Sequence, residues 1–380
     1  MPRSSTIERG ASSSRASHRV EHRGERVRVV VAVLDGYPLR HVDPIVSPTL
    51  HRLRAETTTV APALSVLASA SIPNVTTFTT GVDPTIHGVF ADDEITDGPR
   101  VRVTATTQRS PTLFQACSVA GRRAVWCGDA ELGRFLAAPT TDCGADDATA
   151  TSIAMESLEG DSELVVLQLA SPSAAGMLHD PDSDNARSMF HDTDSMVRGL
   201  LDSCASDWER TVFIVVSTHD QLSASAEAPV ELRPLVDRLA NMSGHAPSFA
   251  LQGDAAVLRW DDTSLFTADA TPFDGVPGVE GRLRAARGFH IIWAPRGRTF
   301  CLDGTPDVRT PSVHGGPYTR AQVAIVSGGH PLAATMRRSL ARRAVRASDW
   351  APTIADALGV PLPTATGVSL IDPISVGRSA

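Results

Sequence analysis

The chain has 380 residues, 42% of them hydrophobic, with a formal net charge of -8 and an isoelectric point near 5.8. That length and apolar content suffice for one large α/β domain with an insertion, or for two domains. The acidic balance excludes a nucleic-acid groove over the whole surface.

Residues 1–26, rich in Ser and Arg and lacking an apolar h-region, are expected to form a disordered tail rather than a secretory leader. "VRVVVAVLDG" (27–36) is a nearly continuous apolar run ending in Asp-Gly, the pattern of a central strand covered on both faces. "SPTLHRLRAE" then reads as a helix. The apolar run "VAPALSVLA" leads into "SIPNVTTFTTGVDPTIHG", with a helix expected to start near Asn74. "SPTLFQACSVAGRR", "DATATSIAMESLEG" and "RSMFHDTDSMVRGLLDSC" are further helices. Two of the helical stretches open on Ser-Pro, an N-cap followed by proline at the first helical position. "ELVVLQLA" (163–170) and "TVFIVVS" (211–217) repeat the buried-strand pattern. From 222 to 310 the apolar runs shorten and Asp, Gly and Pro increase, the texture of an inserted cap subdomain. The core resumes with "VHGGPYTRAQVAIVSGG" and a helix at "SDWAPTIADALG", and "GRSA" forms a frayed end.

Strands alternating with helices predict an α/β fold with a mostly parallel sheet between helical layers, built from 27–221 and 311–375. All 35 basic residues are arginine, a matter of genome composition before function. The five cysteines, at 117, 127, 143, 204 and 301, are odd in number and widely spaced. They read as buried thiols of a reducing compartment, and the chain is expected to be cytoplasmic. No apolar run reaches membrane-span length.

Ligands of such sheets bind beyond the carboxyl ends of the strands. Asp35, Ser171 to Ser173, Thr218 and His219 fall there. A hydroxyl at Ser71 would sit near a helix N-terminus, a favourable place for phosphate. Serine needs a base or a metal to lose its proton, and Asp35, His219 and His314 are the candidates. Each residue also has a plainer reading. Asp35 can serve an Asp-Gly turn, Ser71 can be a small residue near a helix start, and Asn74 can be a cap. His219 and His314 can be core histidines. His87 reads as structural, His179 and His191 as surface residues, and the pair Asp192 and Asp194 as a solvated helix face.

The order "VLDG", "SIPNVTTFTTGVDPTIHG", "VVSTHDQ", "VHGG" and "DWAPTIADALGVPLP" resembles the alkaline phosphatase superfamily, in particular its nucleotide pyrophosphatase/phosphodiesterase and phosphonoacetate hydrolase branch. The resemblance spans about residues 27–368. It implies a three-layer α/β/α sandwich with an inserted cap, and a two-zinc site that activates a Ser or Thr nucleophile. It implies Ser71 as nucleophile and Asn74 as donor to the phosphoryl oxygen. Asp35, His219 and the Ser71 hydroxyl would hold the second metal, and His314 the first. The partner would be a small phosphorylated or phosphonate substrate.

The chain departs from that pattern at Ser173, Met177 and Thr218, where the family carries Asp, His and Asp. Catalytic zinc ordinarily takes three good protein ligands, so one weak ion, a rearranged pair using His179, Asp180 or Asp220, or no metal are the outcomes. Two readings follow: a phosphodiester or phosphonate hydrolase with an impaired metal site, or a pseudoenzyme that keeps the fold as an anion-binding or regulatory protein.

Overall fold

The computed structural model describes residues 26–95, 108–140, 146–260, 272–304 and 310–371. Residues 1–25, Cys143 and the "GRSA" end lie outside the described residues.

Five strands form the central sheet: β1 (Arg28–Leu34), β2 (Ala124–Cys127), β3 (Leu164–Leu169), β4 (Thr211–Ser217) and β9 (Ala324–Ser327), in the order β9-β4-β1-β3-β2. β1 pairs in parallel with β3 and β4, and β2 with β3, whereas β9 runs antiparallel along β4. Every residue of β1 is buried, because its two faces are both covered. Val29, Val31 and Val33 enter a core with α2 (Ser71–Thr80), α3 (Leu113–Val119) and α8 (Trp350–Leu358). Val30, Ala32 and Leu34 enter another with α1 (Pro48–Ala55), α4 (Asp147–Glu159) and α6 (Asp184–Ser203). Alternating side chains feeding two cores make the layers, and each fully buried valine adds about 1.5–3 kcal/mol of apolar transfer. The fold is the α/β sandwich expected, with helices on both faces of a parallel-rich sheet.

Two helix starts differ from expectation. α2 begins at Ser71, since Pro73 falls in the first turn, where a missing N–H costs nothing. α3 is capped not by Ser110 but by Thr112, whose hydroxyl accepts the Gln115 N–H while the Gln115 side chain accepts the Thr112 N–H. The pair at 192 and 194 also divides. Asp192 is exposed, but Asp194 is only 2% exposed and accepts the Thr49 and Leu50 N–H groups at 2.9 and 2.8 Å. Asp194 therefore caps α1 from a neighbouring helix, stabilised by that helix's positive end.

A second sheet lies within the stretch expected as a cap. Its antiparallel strands are β5 (Ser248–Gln252), β6 (Ala255–Arg259), β7 (Gly281–Ala286) and β8 (Phe289–Trp293), in the order β7-β8-β6-β5. The two ends of this stretch meet, Leu222 pairing with Val313 and Ser223 with Ser312. One face of the sheet packs on α7 (Arg233–Ser243) through Leu235, Val236 and Leu239. The other packs on Ala68, Phe90 and Ala91 of the first half of the chain, Phe90 stacking on Phe289 at 4.5 Å.

Candidate active site

The carboxyl ends of β1 and β4 lie side by side, since the strands are parallel and in register from Arg28↔Thr211 to Leu34↔Ser217. Asp35 and Thr218 are therefore the first residues past the sheet on adjacent strands. Thr218 Oγ1 donates to Asp35 Oδ1 at 2.6 Å and accepts the Gly36 N–H at 2.9 Å. Gly36 takes φ +62°, and a Cβ there would lie 3.2 Å from the His219 ring and 3.4 Å from the Ser173 backbone. The turn and site readings of Asp35-Gly36 thus both hold: glycine makes the turn, and the turn aims the aspartate at His219.

His219 is 1% exposed. Its Nδ1 lies 2.7 Å from the Asp220 carbonyl, which can only accept, so Nδ1 carries the proton and Nε2 of the neutral ring is an acceptor. That Nε2 stands 3.4 Å from Ser71 Oγ and 3.9 Å from Asp35 Oδ1. Burial holds the His219 imidazole well below its usual value, and neighbouring His314 adds to the shift.

The Ser71 side is fixed by the chain itself. Asn74 accepts the Val66 N–H at 2.9 Å and donates to the Ala70 carbonyl at 2.8 Å. Both ends of its amide are thus engaged with backbone around the start of α2. His314 joins this wall through Nδ1, 3.1 Å from the Ser69 carbonyl. Ser69 N–H donates to the Gly315 carbonyl at 2.8 Å, and the Ser69 hydroxyl accepts the Gly315 N–H. The His219 and His314 rings stack, 4.3 Å apart and 22° from parallel. Asp35, Ser71, His219 and His314, drawn from most of the chain's length, are therefore brought together.

Asp92, which the sequence reading missed, completes the group. Its Oδ1 accepts the Ile72 N–H at 2.7 Å, one residue past Ser71. Withdrawal from water raises its carboxyl above the usual range; Asp35 and Asp93 push the same way, while His314 and the Ile72 N–H oppose. Among the acids of "FADDE" nothing in the sequence singles it out. Gln221 was also missed: its amide donates to the Gly36 and Pro172 carbonyls, both at 2.8 Å, holding α5 (Ser171–Leu178) against the Asp35 turn.

The α5 side is different. Ser173 lies beside the Asp35-Gly36 turn, but Met177 is 61% exposed. The neighbouring acids are engaged elsewhere. Asp180 accepts the Ser223 hydroxyl at 2.9 Å, and Asp220 is paired with Arg40 at 3.0 Å. His191 is on the surface as expected. His87 is buried between the Thr77 hydroxyl and the Val89 N–H, a core histidine as expected, with its basicity lowered by burial to about 3. Cys117, Cys127, Cys204 and Cys301 are all buried.

A family profile, "Type I phosphodiesterase / nucleotide pyrophosphatase", matches residues 29–269. The chain belongs to this family. No curated protein sequence matches it. Among solved structures, murine ectonucleotide pyrophosphatase/phosphodiesterase 5, an inactive form in complex with AMP, superposes with a TM-score of 0.68 at 16% identity, covering 90% of this chain and 97% of that one. The human counterpart gives 0.66 at 16%, covering 88% and 95%. Phosphonoacetate hydrolase from Sinorhizobium meliloti 1021, in complex with phosphonoacetate, gives 0.65 at 17%, covering 88% and 96%. At these identities the superpositions speak for the fold alone.

The family is typically metal-dependent, so the donor set of this phosphodiesterase-family chain decides whether metal fits. Among the described residues no three His, Cys, Asp or Glu side chains come together to hold an ion. Ser71 Oγ and Asp35 Oδ1 lie 3.4 and 3.9 Å from His219 Nε2, but one of these three atoms is a neutral hydroxyl. The Asp35 oxygen in that trio already accepts the Thr218 hydroxyl. Two zinc ions do not fit these side chains.

Proposed function

We propose that the protein is a phosphoester hydrolase of the phosphodiesterase family, acting on a small phosphodiester or phosphonate with Ser71 as nucleophile. The observation that carries this reading is the Ser71 hydroxyl, placed at the N-terminal turn of α2 within reach of His219 and beside Asp35 and His314. The family membership and the AMP and phosphonoacetate bound by the structural neighbours support the substrate class. In this reading Ser173, Met177 and Thr218 are lost ligand positions of a two-zinc site, and metal, if bound at all, is one weakly held ion.

The roles of the chain's own groups follow. Ser71 Oγ attacks phosphorus, and the P–O bond to the ester oxygen of a phosphodiester, or the P–C bond of a phosphonate, breaks as the departing atom takes a proton. The helix N-terminus favours the charge on the phosphoryl oxygens. Asn74 holds the Ser71 turn in place through its two backbone bonds. The phosphoserine is then cleaved by water, returning the hydroxyl.

One observation favours a second reading. Asp92 already places a carboxylate on the Ile72 N–H, where a phosphate oxygen would compete. A pocket that supplies its own anion and has shed metal ligands also suits a pseudoenzyme that retains the fold for binding or regulation.

The test is turnover of bis(p-nitrophenyl) phosphate and of phosphonoacetate by purified protein, alongside its metal content and AMP binding by calorimetry. Turnover of either substrate supports the hydrolase. Binding of AMP without turnover supports the second reading. Neither turnover nor binding, by folded protein with and without zinc, sinks both.

A further inference from the structure

The side chains around Ser71 do not fit two zinc ions, and the pocket's hydrogen bonds specify a different activation of the nucleophile. Nδ1 of His219 is committed to the Asp220 carbonyl at 2.7 Å. This commitment fixes the tautomer, since a carbonyl cannot donate. The remaining nitrogen, an acceptor in the neutral ring, is the one 3.4 Å from Ser71 Oγ. Nucleophile–base contacts in unliganded sites are often this long and tighten when substrate binds.

The surroundings hold the ring in one orientation. The Asp220 main chain is held by its N–H donating to the Thr319 carbonyl at 2.8 Å, and its carboxylate by Arg40 at 3.0 Å and the Gln221 N–H at 2.7 Å. His314 stacks on the ring and is fixed by the Ser69 carbonyl. Asp35 Oδ1, 3.9 Å from Nε2, is placed to offset the charge of an imidazolium. Thr218 orients that carboxylate by donating to the same oxygen. A metal-binding aspartate at 218 would instead set a second carboxylate against Asp35. Thr218 is thus an obstacle to zinc and a support for a base.

We propose that His219 is the general base of a metal-independent Ser71–His219 pair, oriented by the Asp220 carbonyl, which phosphorylates Ser71 in the first half of the reaction. This deepens the hydrolase reading and rests on it for the substrate class. In the first step Ser71 Oγ forms a bond to phosphorus, its proton moves to His219 Nε2, and the P–O bond to the leaving alcohol breaks as that oxygen takes the proton. In the second, water forms a bond to phosphorus while giving a proton to Nε2. The P–Oγ bond then breaks, and Ser71 regains the proton. No oxidant, reductant or co-substrate other than water is needed.

The test uses the full chain and a fluorophosphonate ester, a probe that phosphonylates an activated serine with loss of fluoride and a proton. Labelling is followed by intact mass and peptide mapping, in chelator and in added zinc. The expected result is labelling at Ser71, unchanged within twofold by chelator, absent in Ser71→Ala, and slowed at least a hundredfold in His219→Gln. Labelling that chelator removes and zinc restores would overturn the proposal, as would folded protein in which Ser71 is not labelled, or His219→Gln labelling at the wild-type rate. Should His219→Gln not fold, His219→Asn takes its place, with the same loss of labelling expected. The hydrolase reading fails separately. Metal-independent labelling with no phosphoester turnover keeps the pair and sinks the hydrolase. Zinc-dependent, Ser71-dependent turnover keeps the hydrolase and sinks the pair.

Discussion

The two walls of the pocket are built on different terms. The α2 wall, carrying Ser71, is tied by bonds that need no ligand: Asn74 to Val66 and Ala70, Ser69 to Gly315, His314 to Ser69. The α5 wall is tied by Gln221 near its start, and its far end carries Met177 and Leu178 out into water. A wall whose site residues also hold up the fold keeps them when a ligand is lost. A wall whose site residues were only ligands has no such constraint. Nucleophile and metal-binding chemistry can therefore part company within one pocket.

The largest effect expected from breaking the first wall is on chemistry. Ser71→Ala should lower phosphoester turnover by roughly a thousandfold or more, because the attacking atom is gone. Thermal stability should barely change, since Ser71 is only partly buried. Steady-state kinetics and a melting curve check both. Turnover that survives would reassign the nucleophile.

The next effect is on folding. Asn74→Ala should cost about 3 kcal/mol in urea unfolding, as it strands the Val66 N–H and leaves the Ala70 carbonyl without that donor in a buried site. A loss under about 0.5 kcal/mol would mean that the first wall is not held as described.

These two cases also show what could be seen in the sequence. The apolar runs at 29–34, 164–169 and 211–217 were legible as strands because burial on both faces leaves no polar positions. β2 and β9 were not, since four-residue edge strands carry too few residues for a pattern. Asp35, Ser71, His219 and His314 were legible as a group only through their motifs, and the fold does bring them together. Asn74 could not be divided between cap and donor without the Val66 contact. Asp92, Asp194 and Gln221 act on residues more than fifteen positions away, and no local pattern encodes such pairings.

Rebuilding the second wall should give a smaller effect. The variant Ser173→Asp, Met177→His, Thr218→Asp restores two carboxylates and an imidazole. In chelator it should melt below the parent, because an aspartate at 218 would face Asp35 where a hydroxyl now donates to it. Zinc at about 100 times its dissociation constant should then return roughly 2–3 kcal/mol to the variant. The parent should gain clearly less. Thermal shift and zinc titration on both proteins read the difference. A variant that folds but gains no zinc affinity would show that α5 does not face the pocket as its sequence suggests, and the contrast between the walls would lose its basis.

The smallest effect tests how the first wall is braced from behind. Asp254 is fully buried, accepts the Gly316 N–H through Oδ1, and donates its own N–H to the His314 carbonyl at 3.2 Å. Its Oδ2 has no hydrogen-bond partner among the described residues. Burial pushes this carboxyl from 3.8 up to about 6. A carboxyl whose folded value is raised stabilises the fold below the unfolded value, near pH 4, and that contribution is lost as pH rises through about 6. Above pH 6 the wild-type chain carries an ionised carboxylate behind His314 at a cost. Asp254→Asn keeps an acceptor for Gly316 and carries no charge at any pH. The unpaired amide shifts its stability by the same amount at every pH, so the variant-minus-wild-type difference should move in the variant's favour by roughly 2 kcal/mol between pH 4 and 7.5, whatever its level at pH 4. Asp220 is also raised to about 6, so the wild-type curve alone mixes two groups, and the variant-minus-wild-type difference isolates one. A difference that stays flat from pH 4 to 7.5 would show that the folded Asp254 carboxyl is not raised, and that the His314 wall is backed by an ionised group over that range.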